Sequence, residues 1–188
     1  LKKRFGYEIS PATLIHSPGV VPSMSILVKM LTKETDKILI QSPVYPPFAS
    51  SVKDNGRTLV ENNLVKDENE YYTVDFEDLE KKLSCEDVTL FILCNPHNPV
   101  GRVWKEEELK KMADLCLKYN VRIIADEIWR DIIMPGFKHI PIASLSKEVE
   151  NITITCFSPT KTFNIAGLQA SFVTFPRREE WEMFDTEL

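Results

Sequence analysis

Hydrophobic positions follow two rhythms along the chain. From Pro22 to about Lys33 the apolar residues Met24, Leu27, Val28 and Leu31 recur at three and four, the spacing of one helix face. Pro22 falls in the first turn, where a missing N–H does no harm. From Lys105 to Tyr119 the same rhythm returns in Leu109, Met112, Ala113 and Cys116. Glu106, Glu107 and Glu108 sit where a helix dipole favours acids, and Asn120 is placed to cap the end. Residues from Phe76 to Leu83 and the acidic tail after Phe175 also read as helical. Between these lie short, mainly apolar runs: Lys37–Gln41, Thr89–Leu93, Val121–Ala125, Ile152–Phe157 and Ala170–Phe175. Continuous apolar strands separated by amphipathic helices predict a sheet covered on both faces. The expected class is α/β, a three-layer α/β/α sandwich with a mostly parallel sheet, in one domain spanning 1–188.

Polar residues punctuate the strand ends. Ser42-Pro43-Val44-Tyr45-Pro46-Pro47 reads as a rigid loop after the first strand, and Asn95-Pro96-His97-Asn98-Pro99 as a turn after the second. Asp126-Glu127 follows the third. The carboxyl edge of an open α/β sheet is where ligands bind, so these residues mark the expected site.

Composition narrows what the site can do. The chain has 188 residues, 43% of them hydrophobic, and a formal charge of −5, which argues for a folded domain without a basic footprint for nucleic acid or a polybasic patch for a membrane. No apolar run approaches the ~18 residues of a membrane span, and no signal-like apolar region follows the basic N-terminus. A small-molecule partner and a cytoplasmic location are expected. Cys85, Cys94, Cys116 and Cys156 form no C-x-x-C pair and read as buried thiols of a reducing compartment. Only six glycines occur, with no G-x-G-x-x-G or P-loop pattern. There is no G-x-S-x-G or H-E-x-x-H, and His16, His97 and His139 share no metal-ligand spacing, so no metal site is expected. His97 and His139 read as loop or structural residues, and Met24 and Met112 as core. The chain begins at Leu1 rather than methionine and stops at Glu187-Leu188 inside a helical pattern, which suggests a piece of a longer polypeptide.

Taken singly, Lys161 reads as a surface lysine, Asp126 as a helix cap or loop acid, and Tyr45 as a loop aromatic packed on prolines. The combination changes that reading. Ser42-Pro-Val-Tyr45, Asn95-Pro-His-Asn-Pro-Val-Gly101, Ala125-Asp-Glu-Ile-Trp129 and Ser158-Pro-Thr-Lys-Thr-Phe-Asn164 stand in that order. Together they resemble the signature of fold-type I enzymes dependent on pyridoxal 5'-phosphate (PLP), over about Ser17 to Phe175.

The resemblance implies roles. Lys161 would carry the cofactor as an imine and then act as the base at the substrate Cα, with burial lowering its proton affinity. Asp126 would keep the ring nitrogen protonated. Asn98 would bond the phenolic oxygen, with Trp129 able to donate its indole N–H there. Tyr45 would stack on the ring. The phosphate would meet the free N–H groups of Val20 and Val21 at a helix start, with the Ser158 hydroxyl adding a donor. Class I aminotransferases usually have tyrosine where Trp129 stands and a phosphate-binding arginine where Gln169 stands. Pro18-Gly-Val-Val-Pro22, Lys138-His-Ile-Pro-Ile-Ala-Ser-Leu145 and Lys161-Thr-Phe-Asn-Ile-Ala-Gly-Leu-Gln169 instead resemble the MalY/PatB group of C–S β-lyases. That group implies α,β-elimination of cystathionine or cysteine S-conjugates to pyruvate, ammonia and a thiol. The alternatives are a class I/II aminotransferase and, behind it, a PLP-binding regulatory sensor domain. Full members are roughly twice as long, so the resemblance implies a PLP-binding large domain. The N-terminal segment and the C-terminal small domain, with its carboxylate-binding arginine, would then lie outside the chain. It further implies a homodimer, and no activity for this portion alone.

Overall fold

The computed structural model describes residues 2–188. A short helix α1 (Lys2–Phe5) precedes strand β1 (Leu14–Ser17) and helix α2 (Val20–Leu31). Strand β2 (Lys37–Ser42), helix α3 (Pro47–Lys53) and strand β3 (Thr58–Asn63) follow, then a small ribbon of β4 (Val65–Lys66) and β5 (Tyr72–Thr73). Next come α4 (Phe76–Leu83), β6 (Val88–Cys94), α5 (Glu106–Lys118), β7 (Arg122–Asp126), α6 (Lys147–Ile152), β8 (Thr153–Phe157), β9 (Ser171–Thr174) and α7 (Arg178–Glu187).

Seven strands form one sheet in the order β1-β9-β8-β7-β6-β2-β3. All pairings from β8 to β3 are parallel, and β9 is antiparallel to both β8 and β1. β9 alone therefore runs against the rest, and the sheet is mostly parallel as expected. Alternation along each central strand divides the core. Ile38 and Ile40, Leu90 and Ile92, Ile124 and Ile154 pack against α2, α3 and α7 through Met24, Leu27, Val28, Phe48, Val52 and Phe184. Leu39, Phe91, Leu93, Ile123 and Ala125 face the other way, against Leu79 and Leu83 of α4, Leu109, Met112 and Cys116 of α5, and Val149 of α6. Three layers result, because a strand buried on both faces must meet a helix on each.

Local chemistry sets the element ends. After α5, Asn120 adopts φ 54°, its N–H bonds Leu117 O (3.3 Å), and Val121 N–H bonds Cys116 O (2.8 Å). This is a Schellman stop. α2 begins two residues before Pro22 and ends at Leu31, short of Lys33. The proline loop after β2 turns directly into α3, with Pro47 as its first residue. Strands β1 and β3, unanticipated from periodicity, lie at the two sheet edges, where burial patterns are partial rather than continuous. Cys94, Cys116 and Cys156 are buried, but Cys85 is exposed. It sits past the end of α4, in a turn whose neighbours Ser84 and Glu86 also face solvent.

Candidate active site

The connection from β2 to β3 leaves to one side and that from β6 to β7 to the other. The carboxyl ends of β2 and β6 therefore flank a topological switch point. Tyr45 follows β2 and Asn98 follows β6, on the two lips of that crevice. The lips are tied together: His97 Nε2 lies 3.0 Å from the carbonyl of Pro43. Burial pushes the His97 imidazole down to about 4, so the ring is neutral at pH 7 and donates this bond from Nε2. His97 is thus structural, as its sequence context suggested.

A single cavity of about 430 Å³ opens beside the crevice. Tyr45, Asn98, Asp126, Trp129, Ser158, Lys161, Val20 and Val21 all line it. The strand ends of β6, β7 and β8 supply Cys94, Asp126 and Ser158 to one edge because the strands are in parallel register, with Cys94 opposite Asp126 and Asp126 opposite Cys156. Neighbouring residues on β7 point to opposite faces, so Asp126 lines the cavity while Glu127 turns into the protein behind it. There Glu127 Oε2 lies 3.2 Å from Nε2 of the buried His139.

Asp126 accepts a hydrogen bond from Ile128 N–H (2.9 Å). Burial pushes its carboxyl up to about 7, the Ile128 N–H works against that shift, and the Glu127 charge adds to it. A carboxyl so placed ionises readily only beside a cation. Cys94, next to it, is pushed well above the ordinary thiol range by burial and by Asp126, and is therefore unreactive as a nucleophile.

Across the cavity, α2 presents its N-terminus. The first helical N–H bond is that of Ser23 to Gly19 O (3.1 Å), and Pro22 has no N–H, which leaves the amides of Val20 and Val21 as the free donors. The start of α2 is held from behind by buried serines. Ser23 Oγ lies 2.7 Å from Ser17 Oγ, which is 2.5 Å from Ser171 Oγ on β9. A Cβ on Gly19 would come within 3.2 Å of Pro22 Cδ, so a side chain there would press on the Pro22 ring.

Lys161 sits on the turn after β8, with Nζ 5.4 Å from the Trp129 ring centroid. Lys161 is exposed rather than buried, as are Phe163 and Asn164 on the same turn. Ser158 lines the same cavity. Its Oγ donates to Ala170 O (2.6 Å) and accepts from Thr160 N–H (3.0 Å), so its single hydroxyl hydrogen is already placed. Cys94, Ile128 and Thr160 line the cavity without having been singled out. Their signal was position alone, one residue from Asn95, two from Asp126 and one from Lys161.

The profile of class I and II aminotransferases matches residues 1–182. The chain belongs to that family. Among curated relatives of the class I and II aminotransferases, "Cystathionine beta-lyase PatB" of Bacillus subtilis is 46% identical over the whole chain, which spans 48% of PatB. A PLP-bound protein from Clostridium difficile 630 is 56% identical, with a TM-score of 0.96 over all of this chain and 48% of that one. Cystalysin from Treponema denticola, whose crystal structure contains PLP, is 39% identical with a TM-score of 0.94 over 97% of this chain and 46% of its own. The chain thus spans about half the length of the family members it matches.

Proposed function

We propose that this chain is the PLP-binding large domain of a C–S β-lyase, and that the cavity at the carboxyl edge of the sheet is its active site. One observation carries the reading. A buried carboxyl that needs a cationic partner, an amine and a pair of free helix-start amides line the same cavity. These are the groups that suit a ring cation, an aldehyde and a phosphate. PLP-containing relatives and the PatB lyase support it from outside the chain.

The residues would act as follows. Val20 and Val21 N–H bind the phosphate at the positive end of α2. Asp126 binds the ring N–H and, facing that cation, keeps its carboxylate charge. Asn98 would donate its amide to the phenolic oxygen, and Trp129 and Tyr45, which line the same cavity, would offer aromatic surface to the ring. When bound, PLP supplies an electron sink for the charge left at a substrate Cα that has lost its proton. Lys161, which lines the cavity, would hold the cofactor through its amine and would then remove that proton. Expulsion of the thiolate from Cβ, followed by hydrolysis, balances as cysteine S-conjugate plus water giving thiol, pyruvate and ammonia. An aminotransferase would instead need a 2-keto acid acceptor, and the family's own description keeps that outcome as the alternative. The small domain that grips the substrate carboxylate, the second subunit of a homodimer and a cytoplasmic location belong to this proposal. Among the described residues no helix is long and apolar enough to cross a membrane.

Borohydride reduction of the protein with PLP, followed by peptide mass mapping, tests the site: a pyridoxyl adduct is expected on Lys161. Pyruvate release from cystathionine without an added keto acid tests the reaction. An adduct elsewhere, or none in the full-length protein, would sink the cofactor assignment, and keto-acid-dependent turnover would move the assignment to the aminotransferase.

A further inference from the structure

Lys161 sits on an exposed turn, yet the turn is not held by its own backbone alone. On its inner side the Ser158–Thr160–Ala170 bonds fix the base. On its outer side Thr162 Oγ1 donates to Asp131 Oδ2 (3.2 Å). Asp131 is nearly buried, and its other oxygen lies 2.7 Å from the guanidinium of Arg4 on α1. Arg130 Nε approaches the same carboxylate at 3.9 Å, and the Arg130 guanidinium lies 3.9 Å above the Phe157 ring at the end of β8.

We propose that Asp131 is a positioning residue for Lys161: it grips the lysine turn through Thr162 and anchors it to α1 through Arg4. The inference rests on Lys161 being the cofactor lysine. The chemistry follows from placement. A carboxylate flanked by two guanidinium groups is a strong acceptor, so the Thr162 hydroxyl is a fixed donor rather than a rotor. Lys161 is the residue immediately before Thr162, and a fixed Cα at 162 limits the arc that Nζ can sweep. Asp131 lies five residues after Asp126, so one segment both presents the ring-binding acid and holds the lysine turn. The segment from Asp126 to Asp131 thereby sets the separation between the two groups.

Thr162→Val removes the hydroxyl and keeps the shape, whereas Thr162→Ser keeps the hydroxyl. Two readouts are taken on the full-length protein: hydrogen exchange of the Phe163, Asn164 and Ile165 amides, which bond within the turn, and the yield of pyridoxyl adduct on Lys161 after brief exposure to PLP and borohydride. Thr162→Val is expected to speed exchange of these amides roughly tenfold, the size of one lost hydrogen bond to a charged group. Amides of β8 should be unchanged, and trapping severalfold lower. Thr162→Ser should behave as wild type in both. Unchanged turn exchange in Thr162→Val overturns the proposal, as does faster exchange with undiminished trapping, which would make the tie structural only. Absence of an adduct in the wild type overturns the cofactor reading itself and removes the basis of this inference, an outcome distinct from the other two.

Discussion

Asp126 and Lys161 share a cavity but are built in opposite ways. Asp126 ends a central strand with a parallel neighbour on each side, is buried, and sits in a hydrogen-bonded ladder. Lys161 stands on an exposed turn whose outer side is tied back through one threonine. The acid is placed by the sheet and moves only if the sheet does, whereas the lysine is placed by a few local bonds on a segment that can adjust. The two tasks proposed for the lysine, holding a cofactor and moving a proton, would suit the second kind of mounting, and the task proposed for the acid, standing opposite a ring cation, would suit the first.

The sharpest test of that contrast is Lys161→Ala. It is expected to abolish the pyridoxyl adduct while leaving the melting temperature within a degree or two, since the side chain is exposed and packs little. Ile124→Ala, on the strand that carries Asp126, should do the reverse, costing about 2–5 kcal/mol in a denaturant titration for a fully buried side chain. If Ile124→Ala left stability unchanged, the sheet would not be the rigid mount described.

Asp126→Asn gives a subtler, pH-dependent effect. Asp126 is pushed up to about 7 in the fold from an ordinary value of about 4 in the unfolded chain. The cofactor-free fold therefore retains this proton through a range where the unfolded chain has lost it. The stability tied to that proton is full below pH ~4 and lost as pH rises towards 7. Relative to wild type, Asp126→Asn should thus gain on the order of 4 kcal/mol between pH 4 and pH 8, read as a widening gap in melting temperature. A constant gap would show that Asp126 titrates normally. The smallest effect belongs to the turn: Asn164 has φ 52°, so Asn164→Ala should cost about 1 kcal/mol and Asn164→Gly much less.

The same contrast explains what the sequence made legible. The central strands announced themselves because each is buried on both faces, and Asn98 and Asp126 were readable as polar residues ending apolar runs. The amides of Val20 and Val21 came with the family resemblance, since the apolar pattern alone started the helix at Pro22, whereas α2 begins at Val20. The edge strands β1 and β3 were missed because an edge strand is half solvated and carries no continuous apolar run. The exposure of Lys161 and the use of the Ser158 hydroxyl by Ala170 were missed for a different reason: each depends on contacts made within the turn after β8. Thr162 and Asp131 stand 31 residues apart, and no local pattern marks such a pair. Cys85 read as buried by analogy with its three companions, but only those three fall on strands or on the inner face of α5.

β9 pairs with β1 across the sheet edge, joining Ser171 to Ser17, and those two serines stand behind the first turn of α2. A chain emerging from the ribosome makes residues 14–17 early and residues 171–174 more than 150 residues later. The N-terminal end of α2 therefore lacks its backing until β9 has been synthesised. Because contacts between distant parts of a chain form slowly, this corner is expected to consolidate late in folding, after the central parallel strands have already aligned the acid.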